Sequence, residues 1–119
     1  MADYSPLFQP GAAITYSVSA DVTAGQVVAL TTDRTVAPAG ADSALVVGIA
    51  GFDAVVGEVV TVHSGGVQRP YADGDIAAGD KVASAAAGKV ATAGAATNVI
   101  GIALAAATDG APVQLKFQA

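Results

Sequence analysis

The chain has 119 residues, enough for one ordinary domain, and carries ten Asp and Glu against five Lys and Arg, a net charge of −5. That balance excludes the counterion-displacing basic face that nucleic-acid binding needs, and the absence of cysteine excludes a disulfide framework and thiolate metal sites. Apolar residues make up 53% but aromatics only 5%, without Trp, so a core of Ala and Val is thin at roughly 25 cal/mol per Å² of buried apolar area. The 13% of charged residues lies below the usual figure of about 25%, and both features point to stabilisation by neighbours.

Residues 1–20 differ from the rest. Tyr4, Pro6, Leu7, Phe8, Pro10 and Tyr16 concentrate bulky side chains and prolines there. Proline disfavours helix at the residue before it, so Ser5 to Gly11 are expected to be extended. The segment reads as an extended N-terminal arm whose Tyr4, Leu7, Phe8 and Tyr16 contact a neighbouring subunit, as large apolar anchors do at interfaces. The rival readings are a frayed terminus or a first strand laid onto the sheet. Met1 to Pro6 has neither the basic start nor the apolar core of a secretory signal. Every apolar stretch ends well short of about 18 residues, so a soluble chain with no membrane partner is expected.

From Asp21 the chain is written twice. Asp21-Val22-Thr23-Ala24-Gly25-Gln26-Val27-Val28-Ala29 aligns with Asp75-Ile76-Ala77-Ala78-Gly79-Asp80-Lys81-Val82-Ala83 at a shift of 54 residues. Val46-Val47-Gly48-Ile49-Ala50 aligns with Val99-Ile100-Gly101-Ile102-Ala103, and Gly57, Val60 and Val62 with Gly110, Val113 and Leu115, both at a shift of 53. A register held over three segments indicates a duplicated supersecondary unit, and two copies make a pseudo-symmetric domain, not a solenoid. We therefore read 21–119 as a single β domain with pseudo-repeats at about 21–72 and 73–119.

Short β-rich runs between Gly, Asp and Pro predict strands at Gln26 to Leu30, Arg34 to Ala37, Leu45 to Ala50 and Glu58 to His63, with counterparts at Lys81 to Ser84, Lys89 to Thr92, Asn98 to Leu104 and Pro112 to Phe117. Thr32-Asp33-Arg34 and Ala86-Ala87-Gly88 are the predicted turns, and one of the Ala-rich stretches 83–87 or 104–107 has the propensity for a helical turn. The fold class is all-β, a compact sandwich or barrel built from two pseudo-repeated halves.

No motif carries chemistry. Gly74-Asp75-Ile76-Ala77-Ala78-Gly79-Asp80-Lys81 resembles a phosphate-binding loop, but Asp80 stands where the lysine belongs and a strand, not a helix, is predicted to follow. His63 is the only histidine, so no two-histidine metal site exists within one chain, and it reads as a polar residue at a strand end. Asp73, Asp75 and Asp80 lack the spacing of a calcium loop and read as turn aspartates. Ser64-Gly65-Gly66 beside His63 lacks the strand-elbow-helix setting of a nucleophile. No catalytic, cofactor or metal site is expected, and the chain is not read as an enzyme.

The short N-terminal stretch with an aromatic and prolines, then Asp21-Val22-Thr23-Ala24-Gly25-Gln26-Val27-Val28, Val47-Gly48-Ile49-Ala50, Val56-Gly57-Glu58-Val59-Val60-Thr61-Val62 with Gly66-Val67, Ala78-Gly79-Asp80-Lys81-Val82 and Ile100-Gly101-Ile102-Ala103 resemble the small capsid decoration (cement) proteins of tailed bacteriophages, the DUF2190 group. The resemblance covers nearly the whole chain. It implies a compact, β-tulip-like domain on the outer surface of the virion. There such proteins bind major capsid protein at threefold and quasi-threefold positions, usually as homotrimers, and the family has no catalytic residues to carry over. A bridge over several shell subunits resists their separation through many weak contacts, and a cyclic trimer matches a threefold site. The alternative is a carbohydrate-binding or adhesion module on a virion or cell surface, for which only Tyr71 and Phe52 in the repeats offer stacking rings.

Overall fold

A computed structural model describes residues 13–117. Strand β1 (Ile14–Val18) is followed by β2 (Val27–Thr32), β3 (Thr35–Pro38), β4 (Val46–Ala50) and β5 (Val59–His63), which close a barrel in the order β1-β3-β2-β4-β5. The second half contributes β6 (Val67–Gln68), β7 (Lys81–Ser84), a 3-10 turn at Ala86–Gly88, β8 (Val90–Thr92), β9 (Val99–Ala103) and β10 (Leu115–Phe117), in the order β6-β10-β9-β7-β8. Every predicted strand is present to within a few residues. The helical turn falls at the end of the first Ala-rich stretch, where Gly88 closes it with a positive φ.

The halves are copies down to their irregularities. β2 pairs with β4 through Val27↔Ile49 and Val28↔Gly48, then slips by one residue to Ala29↔Val46. β7 pairs with β9 through Lys81↔Ile102 and Val82↔Gly101, then slips in the same way to Ala83↔Val99. The bulge is common to both halves, and the shift changes from 54 to 53 in the connection before β4 and β9, between Val36/Val90 and Val46/Val99. The bridge Val22↔Ala54 recurs as Ile76↔Ala107, and the Gln26 side chain accepting from Thr23 N (2.8 Å) recurs as Asp80 accepting from Ala77 N (3.0 Å). Gly25 and Gly79 share φ near +88°, at +88° and +87°, so both turns use the left-handed region that glycine enters without steric cost.

The repeat reaches further back than the expected boundary at residue 21. Ile14↔Val62 in β1 and β5 is matched by Gln68↔Leu115 in β6 and β10. The parallel pair Val18↔Val36 is matched by the parallel bridge Ala72↔Val90, which joins the two ends of the second sheet. The structural repeats are therefore about 14–63 and 68–116. Of the segment read as an arm, residues 1–12 lie outside the described residues, while Ile14–Val18 form a barrel strand, one of the two rival readings for that part of the segment. The barrel needs this strand to close, whereas the sequence gives no identity between 14–20 and 68–74.

Each half has its own interior. Val18, Val22, Val28, Val36, Ala50, Ala54, Val60 and Val62 fill the first barrel. Their counterparts Ala72, Ile76, Val82, Val90, Ala103, Ala107, Val113 and Leu115 form the interior of the second half. Val27, Ala29, Ala39 and Ile49, on the outer face of the first barrel, join the second half's cluster. β2 and β4 are thus covered on both faces, which explains their unbroken apolar runs.

Candidate functional site

The seam between the halves is the most elaborately bonded region. Ser84, buried at 4% exposure, donates its hydroxyl to Gly40 O (2.8 Å) and accepts from Ser43 N (2.9 Å). Asp42 N donates to Ser84 O (2.8 Å), and the Asp42 carboxylate accepts from Asn98 N (2.8 Å) and Thr97 N (3.1 Å), while Asn98 Nδ2 donates to Asp42 O (3.1 Å). Gln26 Nε2 donates to Ala87 O (3.0 Å). Gly88 fits so closely that a Cβ there would lie 2.8 Å from Gln26 Cβ.

The Asn98 N–H, then the Thr97 N–H, hold the Asp42 carboxyl below its ordinary pKa, because hydrogen bonds to a carboxylate favour its charged form. A folded-state pKa below the unfolded value stabilises the fold above the unfolded pKa of about 3.9, and that stabilisation disappears as pH falls through the folded value. Acidification below about pH 4 is therefore expected to loosen the seam. Thermal melts of wild type and Asp42→Asn across that range test it: the wild type should lose its advantage over the variant on acidification, and parallel pH profiles would contradict the assignment.

Beside the seam, a groove of about 370 Å³ is lined by residues of both halves, including Gly25, Ile49, His63, Gln68, Arg69 and Tyr71. Tyr71 lies over Gly25, whose Cβ, if present, would meet its ring at 3.1 Å. His63 ends β5, and its ring lies against Gly51. Ser64-Gly65-Gly66 is a turn, both glycines having positive φ, so no nucleophile elbow forms. Asp75 accepts from Asp109 N (3.0 Å), and Asp80 accepts from Ala77 N and Thr92 Oγ1 (2.9 Å); these aspartates organise turns. Among the described residues no three His, Cys, Asp or Glu side chains gather as a metal site. Tyr16 is half-buried against the first barrel's core, and Tyr4, Leu7 and Phe8 lie outside the described residues.

Two exposed surfaces escaped the sequence reading. At one tip of the first half, Phe52, Val55, Val56 and Val59 are 46–60% exposed among Asp21, Asp53 and Glu58, whose carboxylates each cap a backbone N–H. The equivalent positions in the second half are Ala105, Thr108, Asp109 and Pro112. Conversely, the outer face of β6-β10-β9-β7 carries Val67, Lys116, Ile102 and Lys81 in register. Arg69, Gln114 and Leu104 form the next outward row, joined by the Leu104 N bond to Gln114 O (2.8 Å). Three of the chain's five cations thus share one face with three exposed apolar side chains. Subtracting one half from the other would have found both surfaces.

A closed barrel and a second, matching sheet, with small-residue interiors and two differentiated outer surfaces, make an all-β module. The family model described as phage cement protein matches residues 8–116, and the chain belongs to that family. It is a structural protein associated with the phage capsid. Among solved structures it is similar to one described as the head fiber gp8.5 N base in bacteriophage phi29, with 19% identity, a TM-score of 0.71, and coverage of 90% of this chain and 93% of that one. At that identity the likeness concerns the fold. Comparison with curated proteins finds no match.

Proposed function

We propose that the protein cements an assembled phage head by binding the outer surface of the shell at threefold and quasi-threefold positions, contacting major capsid protein, and resisting separation of shell subunits after expansion. Family membership over residues 8–116 carries this reading. It acts as a homotrimer, since a cyclic trimer closes on a threefold site without an unpaired end. Its work is mechanical: the two halves present fixed surfaces, and many weak contacts over several subunits add up. Reconstruction of the source particle tests the placement. Trimeric density between capsomers is expected on the outside, and bare threefold positions on a particle containing the protein would overturn it.

The apolar anchors of the arm, Tyr4, Leu7 and Phe8, belong to the same reading. The barrel closes with Ile14–Val18, so deleting residues 2–10 should leave thermal unfolding unchanged while weakening decoration by about 2 kcal/mol or more, the cost of one good aromatic anchor. Heat-release assays on shells decorated with each form read the difference. A deletion that lowers the melting temperature while sparing shell affinity would assign these residues to the domain's own core.

A further inference from the structure

The halves meet through non-equivalent surfaces. The first contributes Gly25, Gln26, Val27 and 39–43, the second Tyr71, Ser84, Ala87, Gly88, Thr97 and Asn98. Contacts of this head-to-tail kind extend into rings or filaments whenever the same pair of surfaces remains free on the outside. Here the seam cannot simply recur between chains. The counterpart of Gly88 on the first half is Arg34, at a position where even a Cβ would lie 2.8 Å from Gln26 Cβ. The counterpart of Val27, fully buried in the seam, is the exposed Lys81. The outer face of the second half therefore lacks the partner that its duplicate has, and its side chains are changed to suit a different one.

We propose that this face, Val67, Arg69, Lys81, Ile102, Leu104 and Lys116, docks the first-half tip of a second copy of the chain, Phe52, Val55, Val56 and Val59 with Asp21, Asp53 and Glu58. Charge complementarity selects the occupant. Three cations and three exposed apolar side chains meet three carboxylates and four exposed apolar side chains, within a chain whose net charge of −5 makes such a basic face an exception. Among the described residues the side chains of Arg69, Lys81 and Lys116 make no hydrogen bond or ion pair. The fold itself does not need the apolar tip, because the duplicate builds the same turn with Ala105, Thr108, Asp109 and Pro112. Large exposed apolar clusters of this kind mark interaction sites, and opposite charges around them set register and exclude wrong partners. The contact is heterologous, so each copy keeps one free tip and one free face until a ring closes.

The test uses the free full-length protein, so it stands apart from shell binding. Sedimentation equilibrium of the wild type should show concentration-dependent self-association. Lys81→Glu/Lys116→Glu on the face, and separately Phe52→Ser/Val56→Ser on the tip, should each weaken it roughly tenfold or more at an unchanged melting temperature. If either pair disturbs folding, Lys81→Gln/Lys116→Gln and Val56→Thr replace it. Mixing the two variants is decisive: an intact tip and an intact face remain, so one-to-one heterodimers should form and stop growing. A wild type that stays monomeric, or variants that associate as before or fail to complement, would overturn the proposal. Loss of association on deleting residues 2–10 but not on changing Lys81 and Lys116 would do the same in favour of the arm. Loss of shell binding by the lysine variant of a monomeric protein would do so in favour of the capsid.

Discussion

Replacing Gly101 by alanine is expected to destabilise the protein by about 3 kcal/mol, the upper range for overpacking a well-filled interior, lowering the melting temperature by roughly 12 °C in a domain of this size. An added Cβ would collide with the Lys116 carbonyl oxygen and lie 2.8 Å from Leu115 Cδ1. The first obstacle is backbone held in the β9–β10 ladder, so it cannot swing aside. The duplicate repeats the arrangement, where a Cβ on Gly48 would meet His63 O and lie 2.8 Å from Val62 Cγ1. Gly48→Ala should therefore cost a similar amount. Gly94→Ala is the control: nothing lies within 4 Å of its Cβ position, so any loss there reports its positive φ alone. Urea titration of the three variants decides it, and a Gly101→Ala protein as stable as Gly94→Ala would show that the close approach relaxes.

These glycines also show how the fold became legible. Val46 to Ala50 and Val99 to Ala103 align because Gly48 and Gly101 answer the same steric demand in both halves, and the inward Val and Ala positions answer the same volume. Constraints of that kind are local and repeated, so they survive as identities. Strand β1 and its counterpart, 68–72, share a single buried position, Val18 and Ala72, and otherwise a pairing role that backbone groups fulfil, so Ile14 and Gln68 can differ and the repeat fades there. The two specialised surfaces were hidden for the opposite reason. Val55 and Val56 fall between the predicted strands 45–50 and 58–63, where the local pattern assigns them no face until the tip's geometry leaves them outside, and Lys81 reads only as the start of a strand until pairing places it beside Ile102 and one strand from Lys116. The seam depends on Asp42 reaching Asn98, 56 residues away, and no periodicity encodes that contact.

Truncating Leu115 to alanine is the counterpart to overfilling Gly101, and it probes how thin the core is. Leu115 is fully buried and packs in the second half's cluster with the buried Ile76, Val82, Val90 and Val113. Removing a buried leucine side chain costs the lost transfer energy plus the cavity left behind, 2–5 kcal/mol as a general range, and about 3 is expected here. Leu115→Val, which reproduces the Val62 of the first barrel, should cost about 1 kcal/mol. Because Val27, Ala29 and Ile49 of the first half belong to the same cluster, the loss should lower a single cooperative transition, and a split into two transitions would mean that the halves unfold independently. The pair Gly101→Ala with Leu115→Ala adds a sharper test. Truncation removes Leu115 Cδ1 from the space that the new Cβ needs but leaves the Lys116 carbonyl in place, so the double variant should be destabilised by less than the sum of the single ones while remaining worse than either. Strict additivity would show that the two side chains do not compete for the same space, and that the glycine is required by the backbone contact alone.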